Sequence, residues 1–456
     1  MTYRSTRGQA PDLDFGEALV TGLAADGGLY CPVEIPKLAD VDPRAGYVDT
    51  AVSVIAPYVE GTFDRADLEA MVESAYAGFR HPDVCPVHDL GGNQYLLDLT
   101  QGPTLAFKDM ALQLVGRMLD AELSRRGREV TVIGATSGDT GSAAIEALAD
   151  RTNVRVVILH PLDRVSEVQR RQMTTVNAAN VTNLAVRGTF DDCQDLVKAA
   201  FANPDLGPDV NLAAVNSINW ARVMCQMPYY VYAANQVAPD GAPVTFVVPT
   251  GNFGNVLSGW YAKHMGLSVD RLVVASNRND VLTRFFETGR LVVESVVPSL
   301  SPSMDIQISS NFERLLWEVS DRDGEAVAAL IAELRAEGRV EVPEAWYRRI
   351  AAEFDGVRLD DQGTLAEIAR VHEQAERIID PHTAVGTWAA RRLGRPDVPT
   401  VTLCTADPAK FPDAVEQAIG RRPALPPHLA EIMQRPERFD VIDNSDRAVA
   451  EWLRAR

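Results

Sequence analysis

Short apolar segments alternate with helical segments along most of the chain. Residues 130–133, 154–159, 245–248 and 271–275 are mostly Val, Ile, Leu, Phe and Ala. Apolar runs of this length are typical of strands that are buried on both faces, as in parallel sheets. Strands that alternate with helices therefore predict an α/β fold with a mostly parallel sheet.

A loop of small polar residues follows an apolar strand at three places, and a helix follows each loop. These loops cover residues 134–141, 249–255 and 404–408. In open α/β sheets, ligands bind at the carboxyl ends of the strands. We therefore predict that the three loops lie at such an edge and form a ligand site.

The first hundred residues have a different pattern, because turns rich in Pro and Gly are mixed with helical stretches. We predict an N-terminal unit over 1–98, a second α/β region over 99–245, and a third over 246–456. Residues of about 320–378 are highly charged and helical, and we expect them to form an insertion or a peripheral layer.

Composition and charge narrow the classes of partner. The chain has 44 Lys and Arg against 63 Asp and Glu, a net charge of −19, which argues against binding nucleic acid or an anionic membrane. No segment reaches the roughly 18 apolar residues of a membrane span, and the first residues lack the apolar core of a signal peptide. Five scattered cysteines without a C-x-x-C pair indicate a reducing compartment. A cytoplasmic protein is therefore expected.

The loop over 251–255 has the composition of a phosphate site, because backbone N–H groups converge between a strand and the positive end of a helix. It lacks the G-x-G-x-x-G spacing of a dinucleotide site, and a tight turn is the alternative. The loop over 134–141 has no Lys-Ser/Thr pair after its last glycine, which disfavours a nucleoside triphosphate site. It suits an anionic group on a small ligand, or it is an ordinary capped turn.

Lys108 lies among apolar neighbours shortly after the turn-forming pair Gly102-Pro103. A lysine in an apolar pocket has a lowered pKa and can form a Schiff base with an aldehyde cofactor. The alternative is a surface lysine whose stem covers apolar surface at the start of a helix. The residues alone leave both interpretations open.

Seven segments in one order carry a resemblance to a known family. The run over 104–111 resembles the cofactor-lysine segment of threonine synthases, which belong to the tryptophan-synthase-β-like (fold type II) pyridoxal-phosphate (PLP) enzymes. Six further segments resemble the same family, and together they span nearly the whole chain: 135–144, 215–222, 251–255, 309–314, 380–386 and 405–411. The resemblance implies two parallel-sheet α/β domains, an N-terminal α+β unit and helical additions.

The resemblance also implies roles for particular residues. Lys108 would carry the cofactor and later move protons, and the hydroxyl of Thr405 would face the pyridine nitrogen. The PLP phosphate would be held by Gly251, Asn252, Phe253, Gly254 and Asn255. The substrate pocket would be lined by Ser137, Gly138, Asp139, Thr140 and Asn216. Which of these meets the substrate carboxylate and which its phosphate stays open.

Several charged positions are less well defined by the resemblance. The usual family loop ends in His-Pro-Ala-Lys-Phe, whereas this chain has Asp407 before the proline, so the role of position 407 is open. Arg170, Arg171 and Arg222 are candidates for capturing phosphate or carboxylate, with a surface position as the alternative for the first two. No metal is expected, because His81, Cys85 and His88 do not complete a tetrahedral set of ligands.

The implied activity is that of a PLP-dependent lyase of threonine biosynthesis, in the aspartate family of amino acids. It would convert O-phospho-L-homoserine and water into L-threonine and phosphate by β,γ-replacement, and a monomer is preferred. One alternative is a threonine or serine dehydratase of the same fold, which the long N-terminal unit and the loop over 137–141 disfavour. The others are a non-catalytic protein that binds a phosphorylated ligand, against which Lys108 and Thr405 count, and a nucleotide-binding switch.

Overall fold

The chain folds around two central sheets and a helical N-terminal layer. The computed structural model describes residues 1–39, 41–203, 206, 210–213 and 218–455. The strands in these ranges are β1 Tyr3–Ser5, β2 Tyr30–Pro32, β3 Val87–Gly91, β4 Gln94–Asp98, β5 Val130–Ala135, β6 Val154–Pro161, β7 Val181–Val186, β8 Leu212–Ala213, β9 Val244–Pro249, β10 Val269–Ser276, β11 Arg290–Val292, β12 Arg339–Glu341, β13 Phe354–Arg358, β14 Thr400–Cys404 and β15 Asp440–Ile442.

Helices cover the faces of these sheets and build the N-terminal layer. They are α1 Phe15–Thr21, α2 Tyr47–Val59, α3 Arg65–Tyr76, α4 Lys108–Arg126, α5 Asp139–Leu148, α6 Glu167–Thr174, α7 Phe190–Ala202, α8 Trp220–Met224, α9 Met227–Val237, α10 Gly254–Met265, α11 Val281–Thr288, α12 Phe312–Val319, α13 Gly324–Glu337, α14 Glu344–Ala351, α15 Asp361–Ala375, α16 Pro381–Leu393, α17 Pro412–Ile419, α18 Pro427–Ile432 and α19 Asp446–Arg454. Short 3-10 turns occur at Pro302–Met304 and Pro408–Lys410.

The smaller sheet has five parallel strands in the order β15-β7-β6-β5-β8. Its centre is apolar on both faces, as expected for a parallel sheet between helices, and Val132 of β5 lies opposite Val156 of β6. Strand β15 comes from the end of the chain and adds to the edge beside β7. The residues after 421 therefore complete this sheet as well as covering its outside.

The larger sheet has six strands in the order β13-β10-β9-β14-β4-β3, all parallel except β3, which is antiparallel to β4. The predicted α/β fold with two parallel sheets is confirmed. Strand β13 lies in the range expected to be a helical insertion, so this range is only partly helical and also supplies an edge of the sheet. Strands β3 and β4 come from the first 98 residues, and the proposed unit boundaries at 98 and 245 stay a prediction.

The N-terminal layer is joined to the larger sheet by a buried aromatic cluster. The indole of Trp220 lies 6.1 Å from the ring of Tyr3 and 4.8 Å from that of Tyr261, between ring centroids. The hydroxyl of Tyr3 donates to the carbonyl oxygen of Tyr58 at 2.7 Å. Large aromatic side chains contribute much of the buried apolar area in such contacts, so the layer is an integral part of the core.

Three features of the fold concern membrane spans, cysteines and metal ligands. Among the described residues, no helix combines the length and the apolar character that crossing a bilayer requires. All five cysteines are buried and free. Within the same ranges, no group of three or more His, Cys, Asp or Glu side chains could hold a metal ion.

Candidate active site

Lys108 lies at the first position of α4, and the turn before it is held on both sides. The backbone N–H and the hydroxyl of Thr104 both donate to the carboxylate of Asp109 at 2.8 Å. The N–H of Phe107 donates to the carbonyl oxygen of Thr405 at 2.9 Å, directly after β14. Lys108 is only 8% exposed. The predicted lysine and the predicted third loop are therefore adjacent, although they are far apart in the chain.

Burial dominates the charge state of Lys108. Loss of hydration lowers the pKa of Lys108, and the positive charges of Lys410 and Arg222 lower it further. The carboxylate of Asp139, with Oδ2 at 3.3 Å from Nζ, acts in the opposite direction but does not cancel these effects. The net shift is downward, which favours the neutral amine that attacks aldehydes and accepts protons.

The carboxylate of Asp139 contacts side chains from several elements of the site. Its Oδ1 lies 2.7 Å from Nζ of Lys410 and accepts from Nε2 of Gln169 at 2.9 Å, while its Oδ2 accepts from the hydroxyl of Ser303 at 3.3 Å. Burial alone would raise the pKa of Asp139, but the ammonium groups of Lys410 and Lys108 outweigh it and hold that pKa well below its ordinary value. Asp139 is thus a charged carboxylate between two lysines.

Sequence reasoning did not single out Lys410, Gln169 or Ser303. The signal for Lys410 is its place in segment 405–411, one of the seven segments that carry the family resemblance. Gln169 and Ser303 lie on α6 and on a 3-10 turn, and nothing in their neighbours along the chain indicates a shared site. These three residues are brought to Asp139 by the packing of the two sheets.

The loop before α5 is shaped by one glycine and one hydroxyl. Gly138 has φ +142°, and a Cβ there would lie 2.5 Å from Cδ of Gln169. The hydroxyl oxygen of Thr136 accepts from the N–H groups of Gly138 at 2.9 Å and Gly141 at 2.8 Å. Ser137 and Thr140 are partly exposed at the start of α5. Of the predicted substrate residues, Asn216 falls outside the described ranges.

The loop over 251–255 places the start of α10 beside the end of β9. Phe253 takes the left-handed conformation with φ +65°, and α10 begins at Gly254. The first N–H groups of a helix have no acceptor within the helix and form its positive end. The hydroxyl of Ser309 donates to the carbonyl oxygen of Gly251 at 2.8 Å, which fixes the loop from the other side. This geometry suits the binding of an anion by backbone groups.

The side chain of Asn255 provides a test of whether a phosphate group fits this loop. Its Oδ1 accepts from the hydroxyls of Tyr229 at 2.6 Å and Tyr230 at 2.8 Å. Its Nδ2 is buried and has no hydrogen-bond partner among the described residues. A buried donor without an acceptor is costly, and an anionic oxygen would satisfy it. The residues of the loop therefore fit the phosphate of PLP.

Thr405 and Asp407 lie in the loop after β14. Thr405 is 5% exposed, and its N–H donates to the hydroxyl oxygen of Thr383 at 3.3 Å. Asp407 caps the next turn, because its Oδ1 accepts from the N–H of Ala409 at 2.9 Å, and its Oδ2 lies 3.8 Å from Nη2 of Arg80. Burial raises the pKa of Asp407. Asp407 is therefore a cap for the turn that carries Lys410.

The three candidate arginines lie in different environments. Arg170 makes two parallel bonds to Glu437, Nε to Oε2 at 2.8 Å and Nη2 to Oε1 at 3.0 Å, and Arg171 lies 3.0 Å from Glu167 and 3.7 Å from Glu437. These two arginines hold the C-terminal segment against α6 and do not capture substrate in this arrangement. Arg222 is buried next to the lysines, and its burial lowers its pKa to about 10.

Comparison with known proteins places the whole chain in one group. Residues 2–76 match the family model "Threonine synthase N terminus", and residues 383–452 match "Threonine synthase, C-terminal". A threonine synthase of Pseudomonas aeruginosa is 49% identical over 450 residues, which cover 97% of this chain and 96% of that protein.

The chain belongs to the threonine synthase family. Residues 85–339, more than half of its length, also match the family model "Pyridoxal-phosphate dependent enzyme". The predicted resemblance and the predicted family of cofactor are both confirmed by these matches.

Solved structures of the threonine synthase family have the same architecture. A PLP-bound threonine synthase from Brucella melitensis superimposes with a TM-score of 0.96 at 47% identity, over 100% of this chain and 99% of that one. The yeast threonine synthase superimposes with a TM-score of 0.93 at 38% identity, over 100% and 97%. The two parallel sheets and the N-terminal layer are thus shared with these family members.

Proposed function

We propose that this chain converts O-phospho-L-homoserine and water into L-threonine and phosphate, with PLP as its cofactor. Membership of the threonine synthase family supports the reaction. The observation that carries the proposal is that a buried lysine, Lys108, meets Asp139 at the start of α5, and that Ser303 links Asp139 to the loop suited to an anion. The hydroxyl of Ser303 donates to Asp139, and a Cβ added at Gly251 would lie 2.6 Å from the carbonyl oxygen of Ser303. A binding module would need no such lysine beside a carboxylate.

The residues that would hold PLP follow strands β4, β9 and β14 of the larger sheet. Lys108 would carry it covalently through Nζ. The N–H groups at the start of α10 and Nδ2 of Asn255 would bind its phosphate, and Thr405 at the end of β14 would face the ring nitrogen. When bound, PLP supplies a conjugated ring that delocalises the electron pair left on the substrate carbon by a departing proton.

Lys108 is the base and acid that the reaction needs. Its Nζ would take protons from Cα and Cβ of the substrate. Phosphate then leaves Cγ with the C–O bonding pair, and Nζ would return one proton to Cγ. Water adds at Cβ as a hydroxyl group and gives its proton to the released phosphate, and Nζ would return the other proton to Cα. A group with a pKa shifted toward neutrality can both accept and donate protons. The burial of Lys108 produces a shift in this direction, and Asp139 orients its Nζ.

The substrate carries a carboxylate and a phosphate, and both need donors or cations. Ser137, Gly138 and Thr140 lie at the N-terminal end of α5, which is a positive helix end suited to anions. Arg222 is a buried cation near Lys108. Together with Asn216, these residues are our proposed substrate contacts. We assign Asp139 to orienting Lys108, because a carboxylate would repel both anionic groups of the substrate.

Purified protein with O-phospho-L-homoserine tests the reaction directly. We expect threonine and phosphate in equal amounts. Phosphate without threonine would show an elimination that releases a keto acid, and activity on threonine alone would show the dehydratase. Either result contradicts the proposal.

A variant of Lys108 tests the residue that carries the chemistry. Lys108→Ala removes the amine that binds PLP and moves protons, and we expect turnover to fall by at least about a thousand-fold. Lys198→Ala is the matched control, because its side chain on α7 is 71% exposed and lies outside the site. Threonine formation at the wild-type rate in Lys108→Ala would contradict the assignment.

The proposal includes a monomer in the cytoplasm that acts on a small molecule. The preference for a monomer rests on the family resemblance alone. Sedimentation at micromolar concentration should give the mass of one chain, 49.7 kDa. A sedimenting mass twice as large would contradict this part of the proposal without affecting the reaction.

A further inference from the structure

A second lysine is buried more completely than the one proposed to bind PLP. Lys410 is 0% exposed and ends the 3-10 turn Pro408–Lys410. Its Nζ lies 2.7 Å from Oδ1 of Asp139 and donates to the carbonyl oxygen of Thr104 at 2.8 Å. Burying an ammonium group is costly unless it is paired and hydrogen-bonded. The contacts with Asp139 and Thr104 therefore satisfy the buried ammonium group of Lys410.

Asp139 divides its two oxygens between the two lysines. Oδ1 faces Lys410 at 2.7 Å, and Oδ2 faces Lys108 at the longer distance of 3.3 Å and is shared with the hydroxyl of Ser303. Lys410 has a second acceptor in a backbone carbonyl, whereas Nζ of Lys108 has Asp139 as its single acceptor among the residues that the structure describes. Of the two ammonium groups, Lys108 thus has fewer and longer contacts with acceptors.

The charged groups that face Lys108 come from three elements. Asp139 lies on α5, Lys410 on the 3-10 turn after β14, and Arg222 on α8. Among the groups that act directly on Lys108, one carboxylate thus stands with two further cations, while Asp109 and Asp407 act on Lys410. His382 reaches the network through the N–H of Ser303, which donates to its Nε2 at 3.3 Å. In a buried site with excess positive charge, the most weakly paired cation loses its proton first.

We propose that Lys410 is a positioning residue that holds Asp139 against Nζ of Lys108 and supplies the positive charge that allows Lys108 to lose its proton. This inference rests on the proposed function, since it assumes that Lys108 carries PLP. It gives Asp139 a role between the two lysines, and it gives Asp407 a role as the cap of the turn that presents Lys410.

The visible absorbance of the bound cofactor tests this inference in the holoenzyme without substrate, because it reports protonation of the Lys108 nitrogen. Lys410→Met removes a positive charge and leaves Asp139 to act on Lys108 alone. We expect the midpoint of the absorbance change to move upward by roughly one pH unit. Lys410→Arg keeps the charge and should stay near the wild-type midpoint. A midpoint for Lys410→Met equal to or below that of the wild type, at equal cofactor content, overturns the inference.

A second comparison keeps the test decisive if Lys410→Met does not fold. Asp139→Asn leaves Lys410 charged beside Lys108, whereas the double variant Asp139→Asn/Lys410→Met leaves neither charge of the pair. The inference requires a higher midpoint in the double variant than in Asp139→Asn, because the charge of Lys410 disfavours protonated Lys108. Equal midpoints in these two variants overturn it.

These titrations are independent of the reaction itself. A holoenzyme whose variants titrate as expected, but which forms no threonine from O-phospho-L-homoserine, would contradict the proposed reaction and leave the role of Lys410 intact. A chain that acquires no visible absorbance with PLP would contradict the proposed function itself, because that function requires bound PLP. Lys198→Met serves as the matched control, because this exposed lysine is remote from the site and should leave the midpoint unchanged.

Discussion

A substitution at Asn255 tests the phosphate loop, because its buried Nδ2 has no hydrogen-bond partner among the described residues. Asn255→Asp keeps the oxygen that accepts from the hydroxyls of Tyr229 and Tyr230, at 2.6 and 2.8 Å. It replaces only Nδ2, the buried donor without a partner among the described residues. If Nδ2 donates to the PLP phosphate, the variant loses that hydrogen bond and gains a negative group beside an anion. The change is nearly isosteric, so packing around the side chain is preserved.

The size of the effect follows from the type of bond that is lost. A hydrogen bond to a charged group contributes about 1.5–3 kcal/mol, which corresponds to roughly a 10- to 150-fold loss of affinity. Repulsion between the new carboxylate and the phosphate adds to this loss. The N–H groups at the start of α10 remain, so binding is weakened and not abolished. We expect the dissociation constant of PLP to rise by at least about tenfold.

A titration of the PLP-free chain with PLP, followed by its visible absorbance, measures this constant. Tyr229→Phe is the control, since it removes one donor to Oδ1 of Asn255 and leaves Nδ2 in place. A neutral hydrogen bond contributes about 1 kcal/mol, so PLP affinity should change by less than about fivefold in this control. An unchanged dissociation constant in Asn255→Asp, in protein with wild-type circular dichroism, would refute the assignment of Asn255 to the phosphate.

Two further perturbations follow from the geometry. Gly138→Ala would place a methyl group 2.5 Å from Cδ of Gln169 at φ +142°, so we expect turnover to fall at least about tenfold and stability by about 1–3 kcal/mol. Steady-state kinetics and urea unfolding measure both, and wild-type values would contradict the clash. Glu437→Gln breaks the paired bonds to Arg170, which lower the pKa of Glu437. A carboxylate whose pKa is lowered by folding stabilises the folded protein at pH values above its unfolded pKa of about 4.3. This stabilisation is lost as the pH falls through the pKa of the folded protein. We expect a deficit of about 1 kcal/mol at pH 7 that narrows between about pH 5 and pH 3 in urea unfolding, and a deficit independent of pH would contradict the ion pair.

Local pattern was sufficient for the alternation of strands and helices and for the position of the three polar loops. Strands such as β6 and β9 are continuous apolar runs, because both of their faces are buried. The same reasoning did not predict strands β13 and β15. Both lie at sheet edges and contain charged or exposed residues, so they lack the apolar run of a central strand. The charged, mostly helical range of about 320–378 therefore gave no local signal for β13, an edge strand of the larger sheet.

The arginines illustrate how local sequence identifies a charge without identifying its partner. Arg170 and Arg171 lie on a polar helix close to the site in sequence, which made them candidates for binding anions. Their partner Glu437 is more than 260 residues away in the chain. It reaches α6 because α18 packs on α6, with Leu429 and Val168 in one apolar cluster, and because β15 joins the smaller sheet beside β7. The ion pair is thus a consequence of helix packing and strand order, which no local pattern contains.

By itself, the sequence determined that the chain is an α/β protein with ligand loops at strand ends, and its ordered motifs indicated Lys108 and the loop over 251–255. Only the tertiary structure decided that Lys108, Asp139 and Lys410 share one buried network, with Asp139 between two ammonium groups. Secondary structure follows from the periodicity of neighbours along the chain. The charge state of a buried group depends instead on residues that are distant in sequence and close in space, and these are set by how the two sheets pack.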